Sequence, residues 1–196
     1  MKRVFDLFLS ILGLLFLTPI FIFIGLLVKL TDKGQIFYKQ KRVGKNYKPF
    51  ILYKFRTMVT TDSIDDISFV PGNTPRITHV GKYLRKMKLD ELPQLFNVLK
   101  GDMSIVGPRP EVEKWVAVYP EQWKKVLTVK PGITDNASIL YRNEEMILAA
   151  ADDPDKTYKE IILPAKLKCY EEYVKNNSLF GDLKLIFKTV FFIIFT

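Results

Sequence analysis

The chain of 196 residues has one cysteine, Cys169, and one histidine, His79. A single thiol excludes an intramolecular disulfide framework. One His and one Cys also exclude a zinc site of the usual ligands, so any metal here would sit on carboxylate, phosphate and water oxygens. Neither G-x-x-x-x-G-K-[ST] nor G-x-G-x-x-G occurs, which removes both glycine-rich phosphate loops. Internal repeats, low-complexity tracts and an interdomain linker are lacking too. Two things are plentiful: apolar residues, at 48%, and positive charge, at a formal +9. The first supports a real core and argues against disorder. The second attracts polyanions, whether phospholipid surfaces, nucleic acids or nucleotide phosphates, and does not choose among them.

The longest uncharged run covers residues 7–28. At about 1.5 Å per residue it reaches roughly 33 Å, enough to cross a bilayer core. No small-residue cleavage site ends it, which argues against a cleaved signal peptide. Lys2 and Arg3 precede the run; Lys29, Lys33, Lys39, Lys41, Arg42, Lys45 and Lys48 follow it, with Asp32 the only acid among them. Lys and Arg favour the cytoplasmic side, so both flanks ask for the same face. A straight span cannot satisfy that, whereas a helix that enters, bends and returns can. Thr18-Pro19 lies near the middle: proline removes a helix hydrogen bond, and a Thr hydroxyl can satisfy a freed carbonyl. The residues themselves leave a plain span and a bent helix evenly matched.

Residues 35–40 and 50–58 are rich in aromatic and β-branched side chains around turn residues at 44–49, which predicts a β-hairpin. Residues 60–75 are polar and predict a loop. Helices are expected over 80–88, 91–99 (with Gly101 as C-cap), 112–119, 121–129, 143–151 and 156–175. The Gly107-Pro108-Arg109-Pro110 run is stiff and non-helical, because each proline restricts its predecessor. In residues 179–196, Leu183, Phe187, Val190 and Phe191 share one face, as in an amphipathic helix lying in a membrane interface; a helix docked on the core is the competing reading.

Asp90-Glu91-Leu92-Pro93 is the strongest chemical signal. Two consecutive acids followed by proline fit a helix start, with Asp90 as N-cap and the acids solvated. At such a place a carboxylate stays ionised and an anionic phosphate is welcome. An ionised Asp can attack phosphorus, and a neighbouring Glu can ligate Mg²⁺ on a diphosphate. Lys82, Arg85, Lys86 and Lys88 precede the pair, and Arg109 follows in the proline-stiffened turn, suited to phosphate recognition. By these residues alone, a capped helix with surface ion pairs remains the simpler reading. His79 reads as a cap or surface residue, and Trp115 and Trp123 as core.

The chain resembles the bacterial sugar transferases, monotopic phosphoglycosyl transferases that begin glycan assembly on undecaprenyl phosphate. The resemblance rests on Lys2-Arg3-Val4-Phe5-Asp6, Thr18-Pro19, Ile36-Phe37-Tyr38-Lys39-Gln40 with Arg42-Val43-Gly44, and Tyr53-Lys54-Phe55-Arg56-Thr57-Met58. It continues with the run from Leu89 to Ser104, Val106-Gly107-Pro108-Arg109-Pro110-Glu111 and Lys130-Pro131-Gly132-Ile133-Thr134. It implies an α+β, mainly helical fold: a re-entrant membrane helix over residues 1–30, then a catalytic domain over 31–196 on the cytoplasmic face of the bacterial inner membrane. That domain would hold a small β-hairpin and interfacial amphipathic helices. It implies that Asp90 attacks the sugar-bearing phosphate of a UDP-sugar, releases UMP, and passes the sugar phosphate to undecaprenyl phosphate. Glu91 would be associated with Mg²⁺, and Arg85, Arg109 and Arg142 would bind phosphate or nucleotide. The helix break would fall at Thr18-Pro19, where the family has Ser-Pro. Membrane lipid is an implied partner and nucleic acid is not; a homo-oligomer is left open. After Pro-Gly-Ile-Thr many members continue Gly-Leu-Ala-Gln, whereas this chain has Asp135-Asn136-Ala137-Ser138.

The competing function is a membrane-anchored protein that binds anionic lipid or nucleic acid without catalysis. It explains the charge and the anchor but not an acid pair near a stiffened Arg109. A glycosyl transferase that passes sugar without phosphate is a third reading, separated by its release of UDP rather than UMP.

Overall fold

A computed structural model describes residues 1–32, 34–59 and 77–195. Lys33 and the expected loop at 60–75 lie outside these residues. The described chain is mainly helical. A long helix α1 (Lys2–Asp32) leads into an antiparallel hairpin of β1 (Phe37–Val43) and β2 (Pro49–Phe55). There follow α2 (His79–Lys86), a 3₁₀ turn at Leu89–Glu91, α3 (Gln94–Lys100) and β3 (Ser104–Val106). The remainder is α4 (Glu113–Val116), α5 (Pro120–Val126), β4 (Gly132–Thr134), α6 (Asn136–Leu140), α7 (Glu144–Ala149), α8 (Pro154–Thr157), α9 (Leu163–Asn176) and α10 (Leu179–Phe195). A π-helical turn, Tyr158–Ile162, joins α8 to α9 into nearly continuous helix.

The apolar run makes α1 one helix that continues through Thr18 and Pro19, the expected break. Thr18 Oγ1 donates to the Leu14 carbonyl at 2.6 Å, one residue before the Leu15 carbonyl that Pro19 leaves without its helical donor. Both halves of α1 lie against the same body. At its start, Arg3 Nη1 and Nη2 donate to the carbonyls of Val98 (2.6 Å) and Leu99 (2.9 Å), near the end of α3, where carbonyls lack helical partners. Lys2 pairs with Asp182 of α10 and donates to Val106 O and the Tyr173 hydroxyl, each at 3.1 Å. Buried Asp6 accepts from Ser104 Oγ at 2.9 Å and Ile105 N at 3.0 Å. In the other half, Ile24 and Val28 share a cluster with Phe55 and Leu84, edged by Phe21, Ile36 and Phe37. The face turned away from the body carries Val4, Phe8, Ile11, Leu15, Phe16 and Phe23, all exposed.

The main core lies among α4–α9, around Trp123, Tyr158, Leu163 and Tyr170, and Trp115 is buried with them. Both tryptophans therefore pack, as expected from sequence. His79 is exposed at the first position of α2, where Thr78 is the N-cap, accepting from Gly81 N at 2.9 Å. On α10 the side chains of Leu183, Phe187, Val190 and Phe191 are all exposed, so that face is not docked on the core.

Two features were not legible as elements. Ser104–Val106 and Gly132–Thr134 form a parallel pair, each too short to show a periodic pattern. At their meeting, Gly107 and Gly132 lie back to back: a Cβ on Gly132 would stand 2.1 Å from Gly107 N, so only glycine allows this approach. The second is the edge of β2. Asn97, fully buried on α3, accepts from Tyr53 N at 3.1 Å and donates Nδ2 to Ile51 O at 2.6 Å, standing in for a neighbouring strand. It thereby locks α3 to the hairpin.

The glycine contact makes a stability test. Gly132→Ala is expected to cost more than about 3 kcal/mol through the backbone clash, lowering the thermal midpoint in detergent by about 10 °C. Gly13→Ala places its Cβ 3.4 Å from Leu95 Cδ1 in a helix interior. It should leave the midpoint unchanged or raise it, because alanine favours helix by up to about 1 kcal/mol.

Candidate active site

Asp90 and Glu91 do not cap a helix in water. Lys88 adopts a left-handed conformation (φ 55°), and the chain turns at once into the 3₁₀ turn that contains both acids. Only 6% of Asp90 and 8% of Glu91 is exposed. Pro93, not Asp90, occupies the cap position of α3. The solvated-cap expectation is thus corrected. Sequence spacing misled because the cations that compensate these acids come from β2 and from the proline turn, distant along the chain.

Glu91 is gripped on both oxygens. Arg109 Nη1 donates to Oε2 at 3.2 Å and Nη2 to Oε1, while Lys54 Nζ donates to Oε1 at 2.8 Å. Burial pushes the Glu91 carboxyl up, but Arg109 and Lys54 outweigh it and hold it well below the usual carboxylate range. Glu91 in turn keeps the Arg109 guanidinium protonated more firmly than usual. Lys54 is shifted down, by burial first, with Glu91 opposing.

Asp90 differs from its neighbour. Its cation partner is Lys54 Nζ, 4.0 Å from Oδ2, and its Oδ1 is buried with no hydrogen-bond partner. Burial pushes its pKa up, Lys54 pulls it back, and the Glu91 charge pushes it up again. Two adjacent carboxylates therefore differ: Glu91 takes three hydrogen bonds from cations and is ionised, whereas Asp90 Oδ1 has no donor. Such divergence is typical of reactive sites, because a buried acceptor without a donor is otherwise selected against.

Arg109 is braced from behind. Arg42 Nη1 donates to Pro110 O at 3.1 Å and to Glu111 Oε2 at 3.2 Å. The buried Tyr158 hydroxyl donates to Glu111 Oε1 at 2.5 Å. The π-helical turn thus presents Tyr158 beneath the proline segment that carries Arg109. On the other side, Asp135 is buried and caps α6, accepting from Ser138 N at 2.9 Å and Ser138 Oγ at 2.5 Å. Burial raises the Asp135 pKa against those bonds and the attraction of Arg109 and Lys166. The departure at Asp135-Asn136-Ala137-Ser138 is therefore a helix start whose acid adds to the field on Arg109.

The other expected site residues are placed differently. Arg85 pairs with Glu145 of α7, yet it is close enough to Asp90 to help lower its pKa. Arg142 is exposed and lies over the Phe192 ring of α10, 5.3 Å from its centroid. Among the described residues it makes no ion pair with Asp90 or Glu91. The structure brings Asp90, Glu91 and Arg109 together, leaves Arg85 at the margin, and ties Arg142 to the C-terminal helix. Lys54 is the member of this charged cluster that sequence reasoning missed. Its signal was a lysine within the apolar alternation of residues 50–55, where a cation is retained against a burial cost. Among the described residues no group of three or more His, Cys, Asp or Glu side chains could enclose a metal. Three of about four acceptor positions on Glu91 are taken by Arg109 and Lys54, leaving one on Oε2 besides the bare Asp90 Oδ1. That donor set fits an Mg²⁺ whose other ligands are substrate phosphate and water, and does not fit a closed protein cage.

Known proteins place this arrangement in context. The exopolysaccharide production protein ExoY of Sinorhizobium fredii is 36% identical, over 96% of this chain and 83% of its own length. A UDP-glucose:undecaprenyl-phosphate glucose-1-phosphate transferase of Klebsiella pneumoniae is 38% identical over 97% of this chain but 39% of its own length. An undecaprenyl-phosphate galactose phosphotransferase of Salmonella typhimurium is 38% identical over 96% and 39%, respectively. The family described as bacterial sugar transferase matches residues 1–196. With the whole chain matched and the acid pair, Lys54 and Arg109 assembled at one place, the protein belongs to the bacterial sugar transferase family.

Proposed function

We propose that this protein is a phosphoglycosyl transferase that moves a sugar 1-phosphate from a UDP-sugar to undecaprenyl phosphate, with Asp90 as nucleophile. The observation that carries this reading is the buried Asp90 Oδ1 without a donor, beside Glu91 with its three donated hydrogen bonds. A carboxylate oxygen free of hydrogen bonds keeps its electron density for attack. Oδ1 forms a bond to the sugar-bearing phosphorus; the bond from that phosphorus to the bridging oxygen breaks, and UMP leaves with the electron pair. A phosphate oxygen of undecaprenyl phosphate then attacks the same phosphorus. Asp90 departs as carboxylate, and undecaprenyl diphosphate sugar forms. Lys54 favours the ionised nucleophile, and Arg109, held by Glu91 and braced at Pro110, is the fixed guanidinium for a phosphate oxygen. Glu91 would also be the protein ligand for Mg²⁺. When bound, that ion supplies charge neutralisation on the diphosphate.

Residues 1–30 are read as a re-entrant membrane helix and 31–196 as the domain on the cytoplasmic face. This is supported by the contacts of both halves of α1 with one body and by its apolar outer face, which a straight perpendicular span would not combine. The exposed face of α10 suits an interfacial position.

UMP release from a panel of UDP-sugars, with undecaprenyl phosphate and Mg²⁺, tests the chemistry. Asp90→Asn is expected to lose at least about a thousandfold in turnover. Substantial turnover by this variant, or UDP as the released nucleotide, defeats the covalent scheme.

The same variants separate in stability. Asp90 has a raised pKa, so its ionisation opposes folding, and that penalty grows as pH rises from the ordinary aspartate range through the raised value. Asp90→Asn should therefore unfold at a higher temperature than wild type at pH 7, by about 1 kcal/mol, with the gap closing in acid. Glu91 has a lowered pKa, so its contribution is present above the ordinary glutamate range and lost as pH falls through the lowered value. Glu91→Gln should unfold earlier than wild type at pH 7, by about 3 kcal/mol, because Arg109 and Lys54 lose their counter-ion. Thermal melts from pH 4 to pH 8 check both signs.

For topology, single cysteines placed before Met1 and at Lys48, in a Cys169→Ser background, should both resist an impermeant thiol reagent in spheroplasts and react after lysis. Labelling of the first in intact spheroplasts would overturn re-entry.

A further inference from the structure

A second charged cleft lies at the opposite end of α3 from Asp90 and Glu91. It has a volume of about 230 Å³, and its lining includes Lys2, Arg3, Lys45 and Lys130 around a single acid, Asp6. Asp6 Oδ1 is already engaged by Ser104 Oγ and Ile105 N, and Lys2 is paired with Asp182. Arg3 spends its two terminal nitrogens on the carbonyls of Val98 and Leu99. Lys45 and Lys130 have no acid partner within ion-pair distance among the described residues. Burial pulls the Lys130 pKa down and the Arg3 charge pulls it further, partly offset by Asp6, with Lys45 lowering it again. Like charges held this close at the rim of a cavity cost free energy unless an anion joins them.

The backbone around the cleft is held firmly. Asn46 N donates to Leu127 O at 2.8 Å, which pins the hairpin turn bearing Lys45. Ser104 N donates to Pro131 O at 2.8 Å, which pins the segment after Lys130. The location also has a direction. Lys2 and Arg3 immediately precede the exposed apolar face of α1, which begins at Val4, and Asn177 of the lining precedes that of α10, which begins at Phe180. Both helices with exposed apolar faces thus start at this cleft.

We propose that the cleft of Arg3, Lys45 and Lys130 is an anion site for a phosphate group, with the headgroup of an anionic phospholipid as its natural source and free phosphate as the other. The site lies across α3 from the acid pair and does not depend on the transferase reading.

The test uses the full chain in detergent micelles, titrated with headgroup-labelled phosphatidylglycerol and separately with inorganic phosphate. Lys45→Gln/Lys130→Gln is expected to weaken phosphatidylglycerol binding on the order of tenfold, since each lysine near a lipid surface contributes a several-fold factor. Lys124→Gln/Lys159→Gln removes the same charge from exposed positions elsewhere and should stay within about twofold of wild type. Lys45→Arg/Lys130→Arg should retain binding, which separates lost charge from lost folding, and its thermal midpoint is the control. Competition by inorganic phosphate at millimolar concentration identifies a general phosphate site, and its failure to compete identifies a headgroup site. Equal weakening by the two Gln doubles, or no weakening by either, overturns the proposal.

Discussion

Glu91 bound between Arg109 and Lys54 is the interaction on which the rest of the site depends. Three charged groups are brought out of water, and each is tolerable only because the others are there. Removing one would leave an uncompensated buried charge, which costs several kcal/mol, so the cluster demands that β2, the 3₁₀ turn and the proline segment keep their mutual positions. That demand explains much of the surrounding architecture. Asn97 ties α3 to the edge of β2 and so keeps Lys54 in register. Arg42, Glu111 and Tyr158 hold the segment that carries Arg109. With three donors drawn to Glu91, Asp90 stays buried beside Lys54 with a bare Oδ1. The grip on Glu91 and the bare oxygen of Asp90 are two results of one allocation of hydrogen bonds.

A second constraint joins the apolar helix to this body. The residues at its start, Lys2, Arg3 and Asp6, are polar hooks: they complete the carbonyls near the end of α3, the Asp182 carboxylate and the amide of Ile105. The second half is held by apolar contact instead, through Ile24 and Val28 against Phe55 and Leu84. Because α3 links the hooked end to the acid pair, and Phe55 lies one position beyond Lys54, the long apolar helix and the acid pair share their supports.

The long helix, the hairpin, most helices of the second half and the buried tryptophans were legible in the residue pattern, because local periodicity and turn chemistry set them. The hairpin strands begin and end one to three residues from where composition placed them, at Phe37–Val43 and Pro49–Phe55, since pairing register rather than propensity decides strand ends. Asp90 and Glu91 were recognisable as a motif, and the resemblance supplied their roles. Their burial was not legible, nor was Lys54 as their counter-ion, because the compensating charge lies 37 positions away from Glu91 along the chain. The basic flanks of the apolar run read as a topology signal, whereas at the N-terminal side they serve equally as structural hydrogen-bond donors.

Sequence alone therefore determined the long apolar helix, the helical class, the family resemblance and the residues able to do chemistry, since these follow from composition, spacing and residue type. Only the tertiary structure decided how two adjacent carboxylates come to differ. Neighbours in the chain share a local environment, but the donors that reach Glu91 and spare Asp90 Oδ1 come from distant segments, and their geometry exists only once those segments pack.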